Sequence, residues 1–111
     1  MDVPAYRRMY ESLEYSGIDV KFGVEAGFPN KMEDMGALEA QIRLGNFDFV
    51  LASCHIVEGV DPYYPEYFEG ITAQEGFRKY LETINRYVRV IDENCFSAIG
   101  HIDYGIVCSY L

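Results

Sequence analysis

A carboxylate and two imidazoles are the side chains of this sequence best suited to bind a metal ion. Glu25, His55 and His101 each follow a short apolar segment, and the two histidines are the only ones in the chain. A mixed set of carboxylate and imidazole ligands suits zinc, manganese or iron better than calcium. The three residues therefore predict a site for one of these divalent metal ions.

Asp103 is a further candidate at the same place. It lies two residues beyond His101, so in an extended strand the two side chains would point to the same side. It is predicted to be a ligand, or a carboxylate that fixes the tautomer of a metal-bound imidazole. The sequence contains no local zinc motif such as H-E-x-x-H, and a lone histidine is more often structural than a ligand. The case for a site therefore rests on where these residues lie in the fold.

Three apolar segments are predicted to be the strands that position the ligands. Residues 18–24 lead into Glu25, residues 47–54 into His55, and residues 96–100 into His101. Helical patterns precede and separate them, giving the order α-β-α-β-loop-α-β, which predicts parallel pairing. Because parallel strands bring their carboxyl ends to one edge, the three side chains should converge there. We therefore predict one α/β domain over residues 1–111, built as a partial (β/α) barrel.

The helices are predicted from apolar stripes and end signals. Pro4 and Gly17 bracket the first helix, Asn30 and Gly45 the second, and the T-x-x-E capping box of Thr72 begins the third, which is expected to close near residues 92–94. Residues 105–111 are expected to form a strand or its exit. The three apolar stripes are Tyr6, Met9, Tyr10 and Leu13; Met32, Met35, Leu38 and Ile42; and Phe77, Tyr80, Leu81, Ile84, Val88 and Ile91.

Residues 56–70 form an acidic, aromatic stretch interrupted by Pro62 and Pro65. Prolines exclude a regular helix or a central strand there. A loop of this length in a compact domain is often a lid or a binding loop. The alternative is a surface crossover whose tyrosines pack on the rim of the barrel, and the sequence does not decide between the two.

Charge and cysteine content limit the class of protein. The net charge of −9 over 111 residues argues against a nucleic-acid partner, which requires clustered Lys and Arg, but is compatible with a small phosphorylated metabolite. Three cysteines without a C-x-x-C pair indicate reduced thiols in a cytoplasmic protein. The first residues lack the pattern expected of a signal peptide, and no run is long and apolar enough to predict a membrane span.

Cys54 is the one candidate nucleophile beside a histidine. Neighbouring residues of an extended strand point to opposite faces, so the thiol of Cys54 and the ring of His55 should not meet. We interpret Cys54 as a buried structural thiol rather than a catalytic one.

The order of these motifs resembles the PHP superfamily, and within it the histidinol-phosphate phosphatase branch. The resemblance covers nearly the whole chain and lies in Gly23-x-Glu25, Phe47-Asp48-Phe49-Val50-Leu51-Ala52-Ser53-x-His55, Asp61-Pro62-Tyr63-Tyr64-Pro65-Glu66, Tyr80, and Gly100-His101-x-Asp103-Tyr104.

The resemblance implies a fold and an activity. The family folds as a distorted (β/α)7 barrel with two or three metal ions at the carboxyl ends of its strands, and it hydrolyses phosphate monoesters. Glu25 resembles the metal-bridging carboxylate, His55 the S-x-H ligand and His101 the G-H-x-D ligand, while Asp103 would support them. The implied reaction converts L-histidinol phosphate and water to L-histidinol and phosphate, in histidine biosynthesis.

The resemblance is to the middle of the family's domain. The family's N-terminal H-x-H strand and C-terminal D-x-H strand have no counterpart here. This favours, as an alternative, a non-catalytic remnant that binds metal weakly or serves as an interaction module. The polymerase-associated branch is disfavoured by the acidic charge. An incomplete barrel would expose sheet edges, which predicts self-association.

Overall fold

A computed structural model describes residues 1–109 of the chain, and their side chains as far as residue 106. Four α-helices and three strands alternate with two short 3₁₀ turns, Met32–Asp34 and Pro65–Phe68. The elements are α1 (Val3–Ser12), β1 (Gly23–Gly27), α2 (Met35–Gly45), β2 (Phe49–Ser53), α3 (Ala73–Val88), β3 (Ala98–Ile99) and α4 (Tyr104–Ser109).

The strands form a mixed α/β fold with one small parallel sheet in the order β1-β2-β3. Glu25 pairs in register with Leu51, and Leu51 with Ala98. The predicted α/β class and the parallel pairing are confirmed. Because successive residues of a strand point to opposite faces, Glu25 and Leu51 lie on one face of the sheet and their neighbours on the other.

Two helices cover the second face of the sheet. Its residues are apolar and pack against α2 and α3 in the core. Parallel sheets usually have such cover, because the helices that connect their strands lie on the faces of the sheet. The strand residues packed there are Val24, Ala26, Val50, Ala52 and Ile99, and the helix residues facing them include Leu38, Ile42, Tyr80, Ile84 and Tyr87.

The predicted stripes of α2 and α3 are largely confirmed. Met35 and Ile42 of α2 are buried, as are Tyr80 and Ile84 of α3. Val88, which was expected on the buried face, is 43% exposed, and α3 ends there rather than near residues 92–94. The capping box of Thr72 is formed as predicted.

Helix α1 packs through two aromatic side chains and through Arg7, whose guanidinium lies over the Phe22 ring. The rings of Tyr6 and Tyr10 lie 4.5 and 5.1 Å from that of the buried Phe22, and their hydroxyls donate to main-chain carbonyls. Met9 and Leu13, predicted on the same stripe, are at least half exposed. The expectation of a full apolar stripe on α1 was therefore wrong.

The structure corrects three further predictions: the end of a strand, a helix cap and the type of the last element. Strand β1 runs from Gly23 to Gly27, past the expected end at Glu25, because the chain leaves the sheet only where the Phe28 amide donates to the Ser53 carbonyl. Asn30 does not cap a helix; the turn before α2 begins at Met32 without a side-chain cap. Residues 104–109 form helix α4 and not the expected strand, and residues 110 and 111 lie outside the described part.

Part of the long segment between β2 and α3 packs against the core and against α3. Pro62 is fully buried, and Tyr67 packs in the core and donates to the Gly76 carbonyl over 2.5 Å. Tyr63 and Tyr64 are more than half exposed. Part of the segment thus packs on the fold, as the crossover interpretation predicts, while its tip presents two aromatic rings to solvent.

Within residues 1–109, no helix has the length and apolarity to cross a bilayer.

Candidate metal centre

The sheet brings Glu25, His55 and His101 together at one corner of its open face. Glu25 stands in the middle of β1, whereas both histidines lie two residues beyond the ends of their strands. The prediction that all three residues end a strand was therefore wrong for Glu25. The prediction that they converge is confirmed, because the longer glutamate side chain and the two post-strand turns reach the same point.

The three candidate ligand atoms form a nearly equilateral triangle. Glu25 Oε1 lies 3.1 Å from Nε2 of His55 and 3.0 Å from Nε2 of His101, and the two nitrogens are 3.2 Å apart. The two imidazole rings stack with centroids 5.1 Å apart. Each residue presents one donor atom to a shared centre, and the side chains are 32–44% exposed, so solvent and ligands can reach it.

The triangle has dimensions suited to a bound metal. Ligand atoms about 2.0–2.2 Å from a common divalent ion lie roughly 3–3.5 Å apart, and the three distances above fall in that range. A carboxylate with two imidazoles is a donor set for zinc, manganese or iron. The residues present therefore fit one divalent ion, with positions left open on the solvent side.

The carboxylate of Glu25 is held in its ionised form. The Ser53 hydroxyl, then the imidazole of His101 and that of His55, lower the pKa of Glu25 from its ordinary value of 4.5. The buried Ser53 hydroxyl makes no hydrogen bond of normal geometry among the described residues, so we regard it as a nearby dipole and not a fixed donor. Glu25 is thus negatively charged at neutral pH, as a metal ligand must be.

Two glycines leave room for the site. A Cβ at Gly27 would lie 3.1 Å from Nδ1 of His55, and a Cβ at Gly100 would lie 2.8 Å from the Ser53 hydroxyl and 2.9 Å from Cδ2 of Leu51. Side chains at these positions would displace the groups around Glu25. Glycine at these two positions therefore allows the close packing around the Glu-His-His cluster.

Replacing Gly100 with alanine should destabilise the fold by ~1–3 kcal/mol, the usual cost of overpacking a filled site. Urea unfolding followed by circular dichroism would measure it. Gly36→Ala is the matched control: nothing lies within 4 Å of the added methyl group, and alanine in a helix is favoured by up to about 1 kcal/mol. Equal unfolding midpoints for the two variants would contradict the proposed close packing at Gly100.

Asp103 does not lie in the cluster. The chain turns after His101, which has a φ of +27°, so the expected extended geometry from His101 to Asp103 is not formed. The Asp103 side chain is exposed, and the described ligand group contains only Glu25, His55 and His101. The prediction that the Asp103 and His101 side chains point to the same side was wrong, because residues two positions apart share a face only in an extended strand.

Two tyrosines contact His101 instead. The Tyr104 ring lies 5.2 Å from the His101 ring, and its hydroxyl donates to Asp61 over 3.1 Å. The Tyr80 hydroxyl lies within hydrogen-bond distance of two main-chain carbonyls, those of Cys54 and His101. The sequence indicated Tyr80 as a core residue of α3 and as one of the residues of the family resemblance, but neither shows where its phenol hydroxyl ends.

Cys54 is buried on the face opposite to His55, as the strand alternation predicts. Burial raises the pKa of its thiol from 9.0 to about 11, so the sulfur is protonated at neutral pH. A thiol in this state is a poor nucleophile. The interpretation of Cys54 as a structural thiol agrees with both observations.

Comparison of the chain with models of known protein families, with curated proteins and with solved structures gives no match. The class that the structure itself defines is an α/β protein with a parallel sheet and a Glu-His-His cluster at the carboxyl end of that sheet.

Proposed function

We propose that the chain is a metal-dependent phosphoric monoester hydrolase of the PHP type, with Glu25, His55 and His101 as metal ligands. The observation that carries the proposal is the contact of one carboxylate oxygen with both imidazole Nε2 atoms, at 3.0 and 3.1 Å. In the sequence, Glu25 lies 30 positions from His55 and 76 positions from His101. Their contact is therefore a product of the fold and not of local proximity.

The sheet supports the finer architecture that we propose, a segment of a (β/α) barrel wall. Helices α2 and α3 cover one face, and the ligands lie at the carboxyl end of the opposite face. In (β/α) barrels, active sites are built at that end. Phe49 on the open face is 47% exposed, as expected of a residue that would face a barrel interior.

The chemistry divides between the ion and the chain. A divalent ion would supply Lewis acidity, activating water as the nucleophile and neutralising charge on the phosphoryl group. Glu25 contributes negative charge, and the two imidazoles contribute neutral nitrogen donors that leave open positions for substrate. By resemblance, the substrate we propose is L-histidinol phosphate, in a cytoplasmic biosynthetic role.

The test is hydrolysis of L-histidinol phosphate by chelator-treated protein reloaded with zinc, manganese or iron. We expect phosphate release that depends on the added metal and is lost in His55→Ala, which removes one corner of the triangle. Gln74→Ala, an exposed change on α3, should keep full activity. Metal-independent release, or release unaffected by His55→Ala, would refute the assignment.

A second candidate function is metal binding without hydrolysis. The described residues contain one group of three such ligands, whereas the family that the sequence resembles uses two or three metal ions. Stoichiometric metal uptake that requires His55, without phosphate release from any monoester, would favour this alternative.

A further inference from the structure

The Tyr80 side chain connects the two turns that carry the histidines. Tyr80 is fully buried in α3, and its hydroxyl lies 3.2 Å from the carbonyl oxygen of Cys54 and 3.1 Å from that of His101. A buried phenol hydroxyl needs hydrogen-bond partners. Because Cys54 directly precedes His55, one hydroxyl contacts the main chain at both imidazole-bearing turns.

The backbone that Tyr80 contacts is in an uncommon conformation. His101 has a φ of +27°, in the left-handed region that residues other than glycine rarely adopt. Such a conformation persists only when surrounding contacts hold it. The hydroxyl at the His101 carbonyl is one of these contacts, and the conformation directs the imidazole back toward Glu25.

The same hydroxyl also faces the His101 ring. Its oxygen lies 3.5 Å from Nδ1 of His101. The single hydrogen of the hydroxyl is shared between the two carbonyls, and a phenol oxygen can accept a hydrogen bond as well as donate one. When Nε2 of His101 binds a metal ion, the ring proton is on Nδ1, and the Tyr80 oxygen is placed to accept a hydrogen bond from it. A partner at the distal nitrogen fixes the orientation of a metal-bound imidazole.

Packing holds Tyr80 in place from the other side. A Cβ at Gly105 of α4 would lie 3.0 Å from both Cβ and Cγ of Tyr80. The helix therefore sits directly on the base of the tyrosine side chain, and the phenol has little freedom to move away from the site.

We propose that Tyr80 is a positioning residue for the metal centre: its hydroxyl holds the His101 turn through the main-chain carbonyl and accepts a hydrogen bond from Nδ1–H of the metal-bound ring. The proposal rests on the proposed function only in requiring that Glu25, His55 and His101 bind a metal. It requires no hydrolytic activity.

The test compares zinc and manganese binding by the wild-type chain, Tyr80→Phe and Tyr67→Phe, using titration calorimetry. Tyr67 is the matched control, because it is also buried and its hydroxyl also donates to a main-chain carbonyl, that of Gly76, away from the histidines. We expect Tyr80→Phe to raise the Kd about ten- to hundredfold and Tyr67→Phe to leave it unchanged. Thermal unfolding of the metal-free proteins should show comparable losses for the two variants, which separates positioning from general stability.

An unchanged Kd in Tyr80→Phe overturns the inference and leaves the proposed function intact. No metal binding by the wild-type chain overturns both. Should Tyr80→Phe fail to fold, the zinc-loaded wild-type protein still decides by NMR: the Nδ1 proton of His101 should exchange slowly with water and show an Overhauser contact to the Tyr80 ring. Rapid exchange without that contact overturns the inference.

Discussion

Replacing Glu25 with glutamine is expected to weaken zinc or manganese binding more than about a hundredfold, beyond the effect of losing a group that only orients a ligand. Glutamine keeps the shape of the side chain but removes its negative charge. Glu25 is also the residue whose Oε1 contacts both imidazole Nε2 atoms, and it is the one carboxylate of the described ligand group. Titration calorimetry measures the affinity directly.

Thermal unfolding gives a second measurement of the same loss. Metal that binds only the folded state stabilises it, by about 2.7 kcal/mol at a hundredfold excess over Kd. Saturating metal should therefore raise the unfolding temperature of the wild-type chain but not that of Glu25→Gln. Glu82→Gln makes the same change of charge on the exposed side of α3 and should respond as the wild type does. A Glu25→Gln variant that binds metal normally would place the ion elsewhere.

The fold was predictable where periodicity and alternation carry the information. The stripe of α3 and the capping box of Thr72 each follow from local spacing, and parallel pairing follows from the alternation of helices and strands. Element ends were less predictable, because they depend on partners distant in the sequence. Strand β1 continues to Gly27 since its ladder with β2 extends that far. Helix α4 replaces an expected strand, and the Gly105 contact with Tyr80 is not visible in the sequence.

The members of the Glu-His-His cluster were predictable from the sequence, but the detail of their geometry was not. Rare, metal-capable residues after apolar segments indicated Glu25, His55 and His101, and the parallel sheet explains their convergence. Asp103 was misplaced because the prediction assumed extended backbone where His101 adopts a positive φ. The role of Tyr80 could not be predicted, since the position of its hydroxyl depends on how α3 crosses the sheet.

Raising the pH above about 9 is expected to destabilise the fold by several kcal/mol. Burial raises the pKa of Cys54 from 9.0 to about 11 and that of Tyr67 from 10.0 to about 12. The unfolded chain therefore releases these two protons at lower pH than the folded chain does. Stability is fully present below about pH 9 and falls as the pH rises toward 11 and 12, because the unfolded state then binds fewer protons.

The size of this effect follows from the two groups. One pKa unit corresponds to about 1.4 kcal/mol, so Cys54 and Tyr67 together account for on the order of 5 kcal/mol. That equals the lower end of the stability range of small domains, about 5–15 kcal/mol, so the urea midpoint should fall steeply as the pH rises from 9 to 12. Urea unfolding at a series of pH values measures the loss.

Substitutions of Cys54 and Tyr67 identify which group causes the loss of stability at high pH. Cys54→Ala should flatten the fall in stability between pH 9 and 11, although it removes a buried sulfur and lowers stability at neutral pH. Tyr67→Phe should flatten the fall above pH 10, whereas Tyr63→Phe, which changes an exposed tyrosine of the same segment, should follow the wild type. A wild-type stability that stays constant up to pH 11 would mean that water reaches Cys54 and Tyr67, and that the core beneath the histidine-bearing turns is more open than their burial indicates. Retention of the pH dependence in both Cys54→Ala and Tyr67→Phe would assign the alkaline loss to other groups.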